Sequence, residues 1–198
     1  MPVPALRALL AHRRRQQRLR DKENASASHG RRLPVPTSIM QSMNTFRISG
    51  LPASPFLHLF GQTDDELAAH GVTRSTADAK PGFPDRIELR DAEPGERVLL
   101  LNYVHQNADT PYRASHAIFV REGASQTYDR LDEVPELLRV RTLNLRAFDT
   151  AGLMLDADLV DGTQVENLIE RLFANPAADY IHAHFAKRGC YAARIDRA

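Results

Sequence analysis

Cysteine occurs once in this chain, at Cys190. A single thiol rules out an internal disulfide, so nothing in the fold depends on an oxidising compartment. No apolar run approaches the ~20 residues of a membrane-spanning helix. The strongest aliphatic run, Val98-Leu99-Leu100-Leu101, has the length of a buried strand. No aromatic residue precedes Phe46, so nothing before it can stack on a nucleobase. The chain also lacks G-x-G-x-x-G, a Walker loop, G-x-S-x-G, H-E-x-x-H and C-x-x-C. Nucleotide, hydrolase-elbow and zinc-finger readings therefore lose their usual support.

What is present divides by charge. Residues 1–42 hold nine Lys/Arg against two Asp/Glu, whereas residues 43–198 hold 17 against 23. A basic tail thus precedes an acidic segment long enough for one domain with a real core. Asp21–Pro36 is polar and rich in Ser, Gly and Pro, the composition of disorder. The expected organisation is a basic, unstructured tail over 1–42, or an upstream start with translation beginning at Met43 or Met40, and a single domain over 43–198. Arg13-Arg14-Arg15 with Arg18 and Arg20 leaves open a basic arm for phosphates, or a targeting segment. A cytoplasmic protein is expected, without membrane insertion, and without nucleic-acid binding unless the tail is a genuine arm. Nothing in the sequence bears on oligomeric state.

Element signals over 43–198 point to an α+β fold: a predominantly antiparallel sheet built from hairpins, with two or three packing helices. Thr63-Asp64-Asp65-Glu66 is a capping box opening a helix that runs to His70, and Thr163-Gln164-Val165-Glu166 has the same form. Val165, Leu168, Ile169, Leu172 and Phe173 follow at core-facing helical spacing. A short helix is expected over Val134–Arg139. Strands are expected over Thr45–Ile48, Val72–Ala77, Arg86–Leu89, Arg97–Val104 and His116–Val120. Arg97–Val104 is apolar on both parities and predicts a central strand.

Two hairpins allow registers to be written. Thr150-Ala151-Gly152 joins Thr142–Asp149 to Leu153–Val160, so that Leu143 faces Leu159, Leu145 faces Ala157 and Ala147 faces Leu155. In that register Arg146 lies opposite Asp156 and Asn144 opposite Asp158. Lys187-Arg188-Gly189 likewise pairs Phe185 with Tyr191, Ala183 with Ala193 and Ile181 with Ile195. The other face then carries Tyr180, His182, His184, Cys190 and Arg194.

Five segments bear a family likeness: Phe46-Arg47-Ile48-Ser49-Gly50-Leu51-Pro52, Asp78-Ala79-Lys80-Pro81-Gly82-Phe83-Pro84, Asn102–Gln106 with Asp109–Arg113, Ser115–Val120, and His182–Arg194. Through them the chain, from Phe46 onward, resembles a bacterial family known as domain of unknown function 1203. The resemblance implies no activity. Asp85 stands where it leads one to expect a cysteine, which weakens thiol chemistry at that position.

Four constellations carry candidate chemistry. His182 and His184, at i and i+2 on one strand face, can share a metal ion if His105 or His116 completes the set; otherwise they are two half-exposed strand histidines. Cys190, expected as a diagonal neighbour of His184, is a candidate nucleophile or a small buried hydrophobe. The loop from His105 to Arg113 offers His105 as acid or base, with Tyr112 and Arg113 as ligand-binding groups, or is a solvated connection. Lys80 beside the rigid Pro81–Pro84 run faces a pocket or solvent. The leading expectation is a small-molecule binding or catalytic domain for a ligand that is anionic. Its site joins His105, His116, His182, His184, Arg113 and Arg194. The alternative is a non-catalytic interaction or regulatory module.

Overall fold

The computed structural model describes residues 45–198; the expectations for residues 1–42 lie outside the described residues. The fold is α+β, with two antiparallel sheets and short helices. The larger sheet contains β1 (Phe46–Ser49), β5 (Asp129–Leu131), β6 (Thr142–Phe148), β7 (Met154–Asp161), β8 (Tyr180–Phe185) and β9 (Tyr191–Arg197), in the order β5-β1-β9-β8-β6-β7. The smaller holds β2 (Thr73–Thr76), β3 (Arg97–Gln106) and β4 (Ala114–Arg121), with β3 in the middle, as its apolar character predicts. No helix among the described residues is long and apolar enough to cross a membrane.

Among the described residues three α-helices pack on this frame, besides a 3-10 helix over Ser54–Leu59. α1 (Asp64–Ala69) opens with the predicted capping box: Glu66 N donates to Thr63 Oγ1, and Thr63 N donates back to the Glu66 carboxylate. α2 (Glu136–Arg139) is a single turn behind Pro135. α3 (Val165–Phe173) buries Val165, Leu168, Ile169, Leu172 and Phe173 against one face of the large sheet. Each such burial contributes roughly 1.5–3 kcal/mol. The second capping box does not form. Asp161 instead accepts from the Thr163 N–H at 2.9 Å, a 3-10 turn follows, and Glu166 pairs with Arg139.

The strand expected over Arg86–Leu89 is also absent. The buried Asp85 carboxylate takes the N–H groups of Glu88 and Arg121, at 2.6 and 2.8 Å, and bends the segment. Leu89 then adopts positive φ, which no extended strand tolerates.

Both hairpins turn where the glycines predict, and both then depart from plain alternation. Between β6 and β7, Asp149 N bonds Leu153 O at 3.0 Å and Phe148 pairs with Met154. Leu155 is an extra residue, so Ala147 faces Asp156, Arg146 faces Ala157 and Leu145 faces Asp158. The predicted pairs are displaced by one. This edge strand can accept the slip: Leu159 is left 62% exposed, while Asp156 and Asp158 pair with Arg171 on α3 at 2.9 and 3.1 Å.

Between β8 and β9 the predicted Ile181–Ile195 and Ala183–Ala193 pairs form, but Ala192 is extra and Tyr191 faces His184 instead of Phe185. Tyr191 and Cys190 therefore exchange sides relative to the expected register. Tyr191 joins the core of the smaller sheet, and Cys190 packs against the helix-covered core.

Candidate functional site

α2 and α3 cover one face of the large sheet. On the other face β8 presents His182 and His184, β6 presents Asn144 and Arg146 as their direct cross-strand neighbours, and β9 adds Tyr191 and Arg194. The end of β3 meets this face. A third bulge, between Val104 and Gln106, leaves His105 without a ladder partner. His105 and Gln106 both turn toward the large sheet. Gln106 and the Tyr180 hydroxyl approach to 2.8 Å, and His105 enters the cluster.

Four histidines, distant in sequence, thus meet. The His105 ring lies parallel to Tyr191 on one neighbour and to His116 on another, each with centroids 4.9 Å apart. His182 and His184 approach it edge-on at 5.5 and 5.0 Å. His182 is 2% exposed and His184 fully buried. His105, His182 and His184 each offer a ring nitrogen within 4.8 Å of the other two.

Hydrogen bonding assigns the nitrogens of His184. His184 Nδ1 lies 3.0 Å from the Gly189 carbonyl, which can only accept, so Nδ1 carries the proton and Nε2 holds a bare lone pair. His105 Nε2 lies 2.8 Å from His116 Nδ1. Among the described residues, the buried imidazole nitrogens left without a partner are His105 Nδ1, His182 Nδ1 and His184 Nε2. Each such group costs about 1–3 kcal/mol when nothing satisfies it.

Protonation does not resolve this. His105 is held down to about 4, His182 to about 2 and His184 to about 3, chiefly by burial and in lesser part by charged neighbours that include Arg146. His116 is lowered for the same two reasons. The imidazoles are neutral near pH 7, the form that binds a metal.

The remaining predicted residues separate into two groups. Arg194 flanks the cluster, but its charge is committed to Asp196 at 2.7 Å and its guanidinium lies 4.0 Å over the Tyr180 ring. Tyr112 is exposed and edge-on to Phe148, and Arg113 reaches only the Asn107 carbonyl of its own loop. Lys80 pairs with Glu93 on an exposed surface. Cys190 is not beside His184 on the histidine face, because the Ala192 bulge turns it away. Its sulfur sits 3.3 Å from Arg86 Nη2, in a separate cavity of about 690 Å³ whose lining includes His116 but none of the other three histidines of the cluster. Asp85, in the place expected for cysteine, is a backbone staple whose carboxyl is raised by burial.

Sequence reasoning missed Arg146, Asn144, Gln106 and Tyr191. The only signal was parity, and each bulge breaks parity without any composition of its own. These features define the class: an antiparallel α+β protein whose two sheets meet on a buried histidine cluster. The chain belongs to the family described as "Protein of unknown function (DUF1203)", which matches residues 82–197 and so includes every histidine of the cluster. No curated protein and no solved structure matches it.

Proposed function

We propose that this protein holds a divalent transition-metal ion on His105, His182 and His184 and uses it to bind, and act on, a small molecule. The observation that carries this reading is that His105, His182 and His184 each bring a ring nitrogen within 4.8 Å of the other two, while each also keeps a buried nitrogen without a hydrogen-bond partner. Metal–imidazole bonds of ~2.0–2.1 Å at tetrahedral angles need nitrogens roughly 3.3 Å apart, so side-chain shifts of about an ångström close the site.

The surroundings support a metal-ligand role. The Gly189 carbonyl orients His184, and His116 stands behind His105, the kind of outer contact that fixes a ligating histidine's tautomer. Imidazole suits zinc, copper, iron and nickel, and a cluster of three histidines with no carboxylate among them speaks against calcium or magnesium. Among the described residues no fourth protein ligand joins the three histidines. Three protein ligands with an open position is the arrangement of catalytic, not structural, sites.

Chelator-stripped protein titrated with Co²⁺ tests this. Visible ligand-field absorption should appear and saturate, and urea stability should rise by about 2.7 kcal/mol at a hundredfold excess over Kd. Neither change should occur in His184→Ala. Absence of both in the wild-type protein refutes the reading.

A further inference from the structure

Metal binding at these histidines raises a question of charge. The three ligands are neutral, and two charged side chains stand directly opposite them on the ladder, Arg146 and Arg194, both paired across to His182. Arg194, across from His182 on the other side, is already neutralised by Asp196. A dication would therefore sit beside an uncompensated guanidinium.

Arg146 is unusual among the interior arginines. Arg74, Arg90, Arg121, Arg139 and Arg141 each meet a carboxylate within 4.0 Å, and the buried Arg86, which meets no carboxylate, gives Nε to the Tyr191 carbonyl, Nη1 to the Pro84 carbonyl and Nη2 to Cys190 Sγ. Arg146 meets no carboxylate among the described residues, and its one hydrogen bond runs from Nε to Asn144 Oδ1 at 2.6 Å. Both terminal nitrogens of its fork remain available. The Leu155 bulge produces this state, because plain alternation would have placed Asp156 opposite Arg146. Burial depresses its guanidinium, with no acid acting in the other direction.

We infer that the ligand of this site is an oxyanion, a carboxylate or phosphate group, with one oxygen on the metal's open position and another on the fork of Arg146. The guanidinium matches such groups bidentately, whereas a neutral ligand would leave both cations unbalanced. The inference rests on the metal reading above and adds the ligand's chemical class and its anchor. It also moves the anchoring role from Arg113, which lies outside the cluster, to Arg146.

The test uses full-length protein loaded with Co²⁺ and two probes, acetate and inorganic phosphate, followed by the visible spectrum. At least one probe should shift the spectrum saturably in the wild type. In Arg146→Met its Kd should rise by about tenfold or more, the scale of a lost charged hydrogen bond. Co²⁺ affinity of that variant, without probe, should equal or exceed wild type, because a repelling charge is gone. Arg146→Lys, which keeps the charge and loses the fork, should weaken the same probe and provides a second reading if the methionine variant does not fold. The probe that binds more tightly identifies the group. Wild-type protein that takes up Co²⁺ but responds to neither probe, or to which position 146 makes no difference, overturns this inference alone. Failure to take up Co²⁺ overturns the metal reading with it.

Discussion

Acid should unfold the metal-free protein earlier than its carboxylates alone would dictate. His182 and His184 titrate near 6.5 in the unfolded chain, and burial pushes them to about 2 and about 3 in the fold. Because the folded values lie below the unfolded ones, stability is complete above the unfolded value and is lost as pH falls beneath it. Unfolding then takes up two protons, a slope of about 2.7 kcal/mol per pH unit well below 6.5. Integrated from about pH 7 to about pH 5, the two histidines cost roughly 4 kcal/mol, a large part of a typical 5–15 kcal/mol. His105 is lowered as well, but it is only half-buried and solvent screens its share. Paired carboxylates such as Glu96, held at about 2 by Arg90, contribute only below about pH 4.5, so the window belongs to the histidines. Urea unfolding followed by circular dichroism, with chelator present, measures the slope directly. A midpoint unchanged between about pH 7 and about pH 5 would refute the reasoning, since it would mean the imidazoles can be protonated in place.

Further predictions concern the frame that holds the cluster. A Cβ at Gly162 would overlap the carbonyl oxygens of Leu138 and Arg139, which are backbone and cannot yield, so Gly162→Ala should cost about 3 kcal/mol or more in urea unfolding. Tyr180→Phe removes the hydroxyl that meets the buried Gln106 amide and should cost about 1–3 kcal/mol. Ile169→Ala opens a cavity beneath the large sheet and should cost about 2–5 kcal/mol. Arg171→Ala, by contrast, breaks two half-exposed ion pairs on the edge strand. It should change stability by about 1 kcal/mol at most and leave Co²⁺ uptake unaltered.

The parts of the fold legible in the sequence were those with local, directional signals. The α1 capping box, the apolar stripe of α3, and the glycine-closed loops at Gly152 and Gly189 all act within a few residues, and side-chain spacing reports them. The pairs Ile181–Ile195 and Ala183–Ala193 follow from alternation that holds up to Ala192. Beyond each bulge alternation misleads. Leu155 and Ala192 are ordinary strand residues by composition, yet one extra residue apiece releases Arg146 from Asp156 and exchanges Tyr191 with Cys190. The strand expected at Arg86 fails for a related reason: the Asp85 carboxylate, 36 residues from Arg121, replaces ladder bonds in a way that no local pattern reveals. His105, His116, His182 and His184 were legible as candidates by residue type. Their convergence was not, because it depends on how the end of β3 meets the open face of the large sheet.

The metal reading rests on three neutral imidazoles that each keep one buried nitrogen without a hydrogen-bond partner. Equilibrium dialysis of stripped protein against low-micromolar Zn²⁺, followed by elemental analysis, addresses it without assuming any reaction. The wild-type protein should take up about one ion per chain and a folded His182→Ala/His184→Ala variant close to none. Equal uptake by the two proteins, or none by the wild type, would contradict it.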